Sequence, residues 1–383
     1  MPWLGCWVYA GALIWLIILL LPWRPWSTRE RLDSASSERE LDLSDLVVLV
    51  PARNEARVLS QSLRALGAQG SGLKIVVVDD QSTDGTGSVA RSAPVSNLVL
   101  VQGKPLPHGW TGKLWALEQG KPYLDRPLTL LMDADVELLP GLISRLRKKL
   151  QQERAGLVSL MVQLSTATFW ERLLLPAFIY FFKLLYPFRL ANTRASRVAA
   201  AAGGCILIET RLLLEVGAFA SFRNALIDDC MLARRVKDRG YRTWIGLTRS
   251  AISRRPHGGL GPLWRTVVRT AFTQLRYSYW WLLLCTILMG TAFVAPLFGF
   301  LATSVWINGA AGFAYAAMAM SYLPALRFYG LPGYFALALP IIGGLYLLMT
   351  WHSAFRYSRG EHSRWKGRAY TRTGAFCEDC RDQ

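Results

Sequence analysis

Two aspartates separated by one alanine, Asp133 and Asp135, directly follow the apolar run LTLLM of residues 128–132. That run has the length of a buried strand. Desolvating two carboxylates at its end is costly unless they have a partner. Their position therefore indicates a bound cation or polar ligand. The alternative is a turn that ends the strand, since aspartate often forms turns and helix caps without a chemical role.

Two further polar clusters follow apolar runs in the same way. They lie in VPARNEA and VVVDDQSTDGT and contain Pro51, Asn54, Glu55, Asp79 and Asp80. For one cluster alone, a turn or a helix cap would be the preferred interpretation. Three acidic clusters at three successive strand ends instead predict one crevice that holds a cation or a ligand.

Apolar runs of strand length alternate with segments of helical period between about residues 44 and 250. The runs are residues 46–50, 73–78, 98–101 and 128–132. Between them, apolar residues recur with helical spacing; these are Leu59, Leu63, Leu66, Ile143, Leu146 and Leu150. The alternation predicts an α/β fold with a mostly parallel central sheet flanked by helices. Ligands of such sheets bind beyond the carboxyl ends of the strands, where the polar clusters lie.

The composition indicates a membrane protein. Of 383 residues, 52% are hydrophobic and only 18% are charged, yet the net charge is +18. Soluble domains usually contain roughly 25% charged residues. An apolar and basic chain favours contact with anionic lipid, and no nucleic-acid motif is present, so we expect no nucleic-acid partner.

The first apolar stretch predicts an N-terminal transmembrane helix within residues 1–24, because its length suffices for ~30 Å of hydrocarbon. No basic residue precedes it and no small-residue cleavage site follows, which argues against a signal peptide. Arginines in the linker of residues 25–44 place the N-terminus outside and the next domain in the cytoplasm.

Residues 277–352 form a second apolar region, in which helices are predicted near 279–303, 306–326 and 333–351. Three spans here would leave the basic tail of residues 353–383 outside, although its arginines favour the inside. Either one segment is re-entrant or the first helix does not span.

Residues 169–190 are rich in aromatic side chains but contain Glu171, Lys183, Arg189 and two prolines. This pattern predicts an interfacial helix at the level of the lipid headgroups, with a buried core helix as the alternative. The six cysteines are scattered, which argues against a secreted disulfide framework. Cys377 and Cys380 form either half of a metal or redox site or two thiols of a tail.

The ordered set VPARNEA, IVVVDDQSTDGT, LLMDADV, GG, DD and GY resembles the family 2 inverting glycosyltransferases, which have a GT-A fold. The stretch PLPHGWTGKLWALEQG and the flanking apolar segments look most like the hopene-associated glycosyltransferases of bacterial membranes. The resemblance implies a catalytic domain, here residues 45–276, on the cytoplasmic side of a multi-pass protein of the bacterial inner membrane. It implies sugar transfer from a nucleotide-sugar, a UDP-sugar, to a lipid acceptor with a possible relation to hopanoids.

The family pattern implies roles for the residues at the first two strand ends. Pro51, Asn54 and Glu55 match positions that hold the nucleotide. Asp79 or Asp80 matches an aspartate that contacts the uracil ring. A carboxylate suits this contact because it can accept a hydrogen bond from the ring N–H.

The resemblance also implies a divalent cation, Mg²⁺ or Mn²⁺, on the DxD motif formed by Asp133 and Asp135. Hard oxygen ligands suit either ion. In a strand, residues i and i+2 share a face, so both carboxylates can serve one ion directly or through water. Lys113 in GWTGK is expected to reach the diphosphate, with an ordinary surface lysine as an equal alternative.

Asp229 matches the catalytic base of the family, and Asp228 stands where the family has glutamate. The alternative for Asp229 is a helix N-cap. Leu232 and Val236 predict the buried face of the helix that follows, and Gly240 predicts its end.

Gly203 and Gly204 match the acceptor-side glycine segment. Processive members carry QxxRW, whereas this chain has TQLRY, which argues against a polysaccharide synthase. Gln274 and Arg276 remain candidates for the diphosphate or acceptor side. A polyprenyl phosphate is the alternative acceptor, because a phosphate nucleophile needs no base.

Overall fold

The structure is a computed structural model that describes residues 2–34, 42–256, 258–365, 368–371 and 376–377. The chain divides into two compact units. The helical unit comprises Met1–Arg29, Thr166–Arg189 and His257–His362. The sheet unit comprises Glu30–Ser165, Leu190–Pro256 and Ser363–Gln383.

Strands β1 to β11 are Leu46–Ala52, Lys74–Asp79, Leu98–Gln102, Leu128–Met132, Val136–Leu138, Ala155–Gln163, Cys205–Glu209, Arg242–Ser253, Glu361–Trp365, Arg368–Thr371 and Phe376–Cys377. Helices α1 to α15 are Pro2–Leu20, Ala56–Gly67, Thr86–Arg91, Gly112–Gly120, Leu142–Gln152, Phe169–Leu185, Phe188–Ala191, Thr210–Glu215, Asp228–Asp238, Leu260–Val268, Ala271–Gln274, Tyr279–Met289, Ala295–Gly299, Val305–Phe328 and Leu339–Ser358. The four strands expected from the first apolar runs are present, each within two residues of its predicted bounds.

The first eight strands form one mixed sheet in the order β3-β2-β1-β4-β7-β6-β8-β5. The half β3-β2-β1-β4 is parallel throughout. In the other half β7 runs antiparallel to both of its neighbours, and β5 runs antiparallel to β8. The predicted α/β fold with a flanked central sheet is confirmed, with a larger antiparallel share than a mostly parallel sheet implies.

Burial of continuous apolar strands explains why the parallel half forms. Every residue of β1 is buried. The predicted apolar positions of α2 and α5, such as Leu63 and Leu146, are buried in the same hydrophobic core as Val48 and Val50 of this strand. Each leucine of this kind stabilises the fold by roughly 1.5–3 kcal/mol relative to exposure.

The DxD motif does not continue a strand. Strand β4 ends at Met132 and β5 begins at Val136, and the Val136 N–H donates to the Asp133 carbonyl across a turn at 3.1 Å. The expectation that Asp133 and Asp135 share one strand face is therefore wrong. The turn, not the pleat, determines how the two carboxylates are related.

The sheet unit begins before the predicted domain start. The Leu32 N–H donates to the Leu247 carbonyl, and the Leu247 N–H donates to the Glu30 carbonyl, so the chain after α1 pairs with β8. The sheet unit excludes residues 166–189, and its segment Leu190–Pro256 ends before residue 276. The predicted domain of residues 45–276 is instead continuous. Backbone pairing and packing, which the sequence pattern does not reveal, explain this difference.

In the helical unit, three stretches of the described residues are long and apolar enough to cross a membrane. They are Trp3–Leu20, Tyr279–Gly299 and Gly333–Ser358. The second combines α12 and α13 through a π-helical segment, Gly290–Val294. Helix α14 covers the predicted helix 306–326 but is not among the three stretches.

Helix α6 is largely buried inside the helical unit. The Tyr180 hydroxyl lies 2.7 Å from Ser321 Oγ of α14, and the Tyr346 hydroxyl of α15 donates to the Leu174 carbonyl at 2.9 Å. The buried Glu171 carboxylate is satisfied by hydrogen bonds, because it completes a capping box with Thr168. These contacts bury one face of the helix within the helical unit, and its predicted interfacial position over residues 169–190 stays a prediction.

Two predictions fall on parts of the chain that are only partly described. The linker of residues 25–44 contains residues 35–41, and the CxxC pair includes Cys380, which lie outside the described residues. The pair prediction is therefore not addressed by the structure.

Candidate functional site

The loops after β1 and β2 are joined by neutral and charge-assisted hydrogen bonds. The Thr83 N–H donates to Asn54 Oδ1 at 2.9 Å, and the Asn54 N–H donates to Ser82 Oγ at 3.0 Å. Asn54 has φ +53°, a left-handed conformation that asparagine tolerates better than most residues. Its side chain therefore holds the two loops together, and its predicted nucleotide contact stays a prediction.

Asp84 completes this connection. Its carboxylate accepts hydrogen bonds from the Ala56 N–H at the start of α2 and from both the N–H and the hydroxyl of Thr86 at the start of α3. Burial opposes these bonds, but they lower the pKa of Asp84 below its usual value. The sequence interpretation missed Asp84, although a serine, threonine and aspartate cluster before a helix is a recognised capping signal.

Asp79 and Asp80 lie at the end of β2 and are almost fully buried. Asp79 Oδ1 accepts the Ser82 N–H at 3.0 Å, and the Asp80 carbonyl accepts Arg53 Nη1 at 2.6 Å. Gly103 is required beside them, since a Cβ there would lie 2.8 Å from the Asp79 carbonyl oxygen. Both aspartates help to build this loop, and their contact with a uracil ring stays a prediction.

Lys113, near the start of α4, lies among three carboxylates of the sheet unit. Its Nζ is 2.7 Å from Asp133 Oδ1 and 4.0 Å from Asp228 Oδ2. Burial opposes the positive charge, but Asp133, Asp228 and Asp229 outweigh it and raise the pKa of Lys113 above its ordinary value. Of the two alternatives for Lys113, this geometry favours a site residue over an ordinary surface lysine.

Asp229 lies in the first turn of α9 with both carboxylate oxygens engaged. The Gly203 N–H donates to Oδ2 at 2.8 Å, and the Cys230 N–H donates to Oδ1 at 2.7 Å. Burial, followed by the nearby Asp228 carboxylate, raises the pKa of Asp229 to about 6. A carboxylate with such a pKa is a better proton acceptor near neutral pH than an ordinary aspartate.

The two glycines before β7 permit close approach of this group of side chains. A Cβ on Gly203 would lie 3.0 Å from Lys113 Nζ, and one on Gly204 would lie 2.9 Å from the Val162 side chain. Pro51, Lys113, Asp133, Gly203, Asp228 and Asp229 all line one cleft of the sheet unit. The structure thus brings together residues from five separate parts of the sequence.

Glu55 and Asp135 meet at a second cation. Arg255 Nη2 contacts Glu55 Oε1, and Arg255 Nε lies 3.3 Å from Asp135 Oδ2. Ser253 Oγ also donates to Asp135 Oδ2 at 2.8 Å. Sequence reasoning missed Arg255 and Ser253, because more than 110 positions separate them from Asp135.

The carboxylates around the DxD turn fit a divalent ion whose remaining ligands come from outside the protein. Burial raises the pKa of Asp133, Lys113 opposes that shift, and the like charges of Asp135 and Asp228 add to it. The described residues contain no group of three metal-ligating side chains. Mg²⁺ and similar ions commonly use one or two carboxylates together with water and substrate phosphate.

Gln274 and Arg276 belong to the helical unit. The Tyr186 hydroxyl donates to Gln274 Oε1 at 2.6 Å, and Arg276 has φ +54°. Their predicted contact with a diphosphate or an acceptor stays a prediction.

Comparison with known proteins links this arrangement to one family and one fold. The family described as glycosyltransferase-like family 2 matches residues 44–273. The structure of the mannosyltransferase PcManGT from Pyrobaculum calidifontis, solved with GDP-Man and Mn²⁺, aligns with a TM-score of 0.51 and 21% identity. That alignment covers 91% of this chain and 98% of the mannosyltransferase. At this identity, the likeness shows a shared fold.

Two curated relatives are similar over a shorter stretch. A 4,4'-diaponeurosporenoate glycosyltransferase of Staphylococcus haemolyticus (strain JCSC1435) is 34% identical over 113 residues, which are 29% of each chain. Its counterpart from Staphylococcus aureus (strain USA300) is 31% identical over 131 residues, or 33% of this chain and 34% of the relative. The match therefore spans about a third of the length of these relatives.

Proposed function

The chain belongs to glycosyltransferase family 2, and from this premise we propose that it transfers a sugar from a nucleotide-sugar to a lipid acceptor with inversion at the anomeric carbon. The observation that carries the proposal is Asp229, whose carboxylate has a pKa of about 6 and is oriented by two backbone N–H groups beside Lys113. That combination suits a general base in a cleft with a cationic centre.

In the proposed reaction, Asp229 takes the proton from an acceptor hydroxyl as its oxygen bonds to the anomeric carbon. The bond from that carbon to the nucleoside diphosphate breaks on the opposite face, which inverts the configuration. Lys113 stabilises negative charge on the leaving diphosphate because it is held in the cleft as a cation. A divalent ion held by Asp133 and Asp135 would neutralise further charge on the diphosphate when bound.

For the donor, we propose a UDP-sugar. Its nucleotide would lie against the joined loops after β1 and β2, where the polar atoms of Asn54, Glu55 and Asp79 are fixed by hydrogen bonds. A rigid loop supports binding because less conformational entropy is lost when the nucleotide is held.

For the acceptor, we propose an apolar lipid carrying a hydroxyl group, with a hopanoid-related molecule as the specific candidate. Three helical stretches able to cross a membrane support a lipid substrate, and the curated relatives are named for 4,4'-diaponeurosporenoate, a lipid-like carotenoid acid. An acidic acceptor such as polyprenyl phosphate is the second candidate, since its nucleophile is already ionised. The dependence of turnover on Asp229 separates the two classes.

We further propose a multi-pass protein of the bacterial cytoplasmic membrane with its sheet unit in the cytoplasm. Suppose that the three candidate stretches span the membrane and α14 does not. With the N-terminus outside, the first span brings the chain into the cytoplasm. The second span then leads out again, and the third returns the C-terminal tail to the cytoplasm. The arginines after α1 and those of the basic tail then both lie inside. This arrangement removes the conflict that three C-terminal spans create.

The proposal is tested by incubating membranes that contain the protein with a panel of radiolabelled nucleotide-sugars and extracting the lipids. We expect label from a UDP-sugar in the lipid fraction with wild-type protein. Membranes with Asp229→Asn protein serve as the control and should give little lipid label. Absence of lipid label with every donor would contradict the proposed function.

A further inference from the structure

Arg255 connects two loops that the proposed reaction uses for different purposes. It lies two residues beyond the end of β8, and its guanidinium contacts both Glu55 after β1 and Asp135 of the DxD turn. Glu55 is nearly buried, while the Arg255 side chain keeps 39% of its surface exposed. The side chain is therefore held by carboxylates but remains partly exposed to solvent.

The two carboxylates of the DxD motif each have a basic partner. Asp133 pairs with Lys113 at 2.7 Å, and Asp135 pairs with Arg255 at 3.3 Å. Arg255 and Ser253 both donate to Oδ2 of Asp135, so a divalent ion on this carboxylate meets an occupied oxygen and a guanidinium whose positive charge repels it. Binding of the ion and pairing with Arg255 therefore oppose each other.

We propose that Arg255 competes with the divalent ion for Asp135 and that its guanidinium moves to the diphosphate of the donor when ion and donor bind together. This inference rests on the proposed function, because it takes the donor to be a nucleotide-sugar. The planar guanidinium matches a phosphate with two parallel hydrogen bonds, which a lysine cannot provide. The transfer relieves the competition, so ion and diphosphate strengthen each other's binding.

The neighbouring Arg254 provides a matched control. Its side chain pairs with Glu137 of β5, and its exposed fraction is also 39%. Its backbone N–H, which a side-chain substitution preserves, donates to the Asp135 carbonyl at 2.8 Å. Replacing Arg254 removes the same charge from the same segment without removing a partner of the Asp135 carboxylate.

The test uses the purified full-length chain in detergent and two binding measurements. Mn²⁺ alone is titrated and followed by electron paramagnetic resonance, and UDP or GDP is then titrated by calorimetry at saturating Mn²⁺. We expect Arg255→Gln to bind Mn²⁺ alone about tenfold more tightly and the nucleoside diphosphate about tenfold more weakly than wild type. Arg254→Gln should change either affinity by less than about twofold, as is usual for exposed ion pairs.

Arg255→Lys keeps the positive charge but lacks the planar guanidinium, so it separates the effect of charge from that of geometry. It also provides a second variant in case Arg255→Gln misfolds. It should leave the affinity for Mn²⁺ alone near that of wild type, because a competing cation remains, but it should still weaken diphosphate binding. A purely structural role would weaken both affinities together and would overturn the inference. So would equal behaviour of Arg255→Gln and Arg254→Gln.

The same titrations distinguish failure of this inference from failure of the proposed function. Wild-type protein that binds UDP or GDP with Mn²⁺, together with an Arg255→Gln variant that matches it, overturns only the role of Arg255. Wild-type protein that binds neither nucleoside diphosphate overturns both.

Discussion

The site residues belong either to a platform at the ends of β1 and β2 or to a charged half around β7, β8 and the DxD turn after β4, and the two are held by different means. At the ends of the parallel strands β1 and β2, the loops are joined mainly by hydrogen bonds from backbone N–H groups and hydroxyls to Asn54, Ser82 and Asp84. Around β7, β8 and the DxD turn, the contacts are between charged groups, among them Lys113 with Asp133 and Arg255 with Asp135. The first half is built as a fixed platform, and the second half as a set of charges that a ligand can rearrange.

The difference teaches where each kind of perturbation should act. Metal ions, pH and charge-removing substitutions should change the chemistry of the second half and leave the platform folded. Loss of a hydrogen-bond acceptor in the platform should reduce stability first and turnover only indirectly.

Removal of divalent ions should have the largest effect. Chelation with EDTA should reduce transfer by several orders of magnitude, because charge stabilisation by a metal is worth several kcal/mol, and Mn²⁺ or Mg²⁺ should restore it. Asp133→Ala should need a higher Mn²⁺ concentration for half-maximal activity, whereas Asp125→Ala, which removes an exposed partner of Lys74, should not. Full activity in EDTA would refute the metal role of the DxD turn.

Asp229→Asn should lower kcat by roughly 10²–10⁴-fold while the affinity for the donor nucleotide changes little, since the base acts only in the chemical step. Steady-state kinetics and nucleotide calorimetry measure the two quantities. Asp238→Asn is the control, because Asp238 lies on the same helix and pairs only with Arg234 among its described contacts. Wild-type turnover in Asp229→Asn protein would favour an acceptor that is already ionised.

The pH dependence of turnover should reflect the raised pKa of Asp229. The base acts as a carboxylate, so kcat/KM, which reports groups of the free enzyme, should be nearly constant above a pH of about 6 and fall about tenfold per pH unit below it. Asp229→Asn should abolish this acidic limb in whatever residual rate remains. A limb with a midpoint near pH 4 would indicate that Asp229 behaves as an ordinary aspartate.

The smallest effect is expected in the platform. Asp84→Ala removes the carboxylate that accepts hydrogen bonds from N–H groups at the starts of α2 and α3. The substitution should lower the free energy of unfolding by about 1–2 kcal/mol. Thermal unfolding of the purified protein measures this change, with Ser88→Ala on the exposed face of α3 as the control. A loss of kcat at saturating donor as large as that of Asp229→Asn would contradict the division between platform and charged half.

The contrast also explains how much the sequence revealed. Strands β1 to β4 were predictable because they are continuous apolar runs, and α2 and α5 because their leucines repeat with helical period. The ends of α9 followed from the acidic pair at its start and from Gly240, which has φ +84°. Local patterns suffice to predict elements that are marked by a continuous apolar run or by apolar residues at helical spacing.

The charged half needed the structure. Strands β5 to β8 were not predicted, and pairs such as Arg255 with Asp135 join residues whose proximity depends on the order of strands in the sheet. The turn at Asp133 was weighed but not preferred, because three acidic clusters at successive strand ends favoured a ligand crevice over a simple turn. The burial of α6 likewise depends on partners in α14 and α15 far along the chain.

The most direct test of the central claim is the anomeric configuration of the product. Purified protein is supplied with an α-linked UDP-sugar and a lipid acceptor, and the glycolipid is examined by NMR. Inverting transfer with Asp229 as the base predicts a β-linked product. An α-linked product would mean that configuration is retained and would contradict the mechanism.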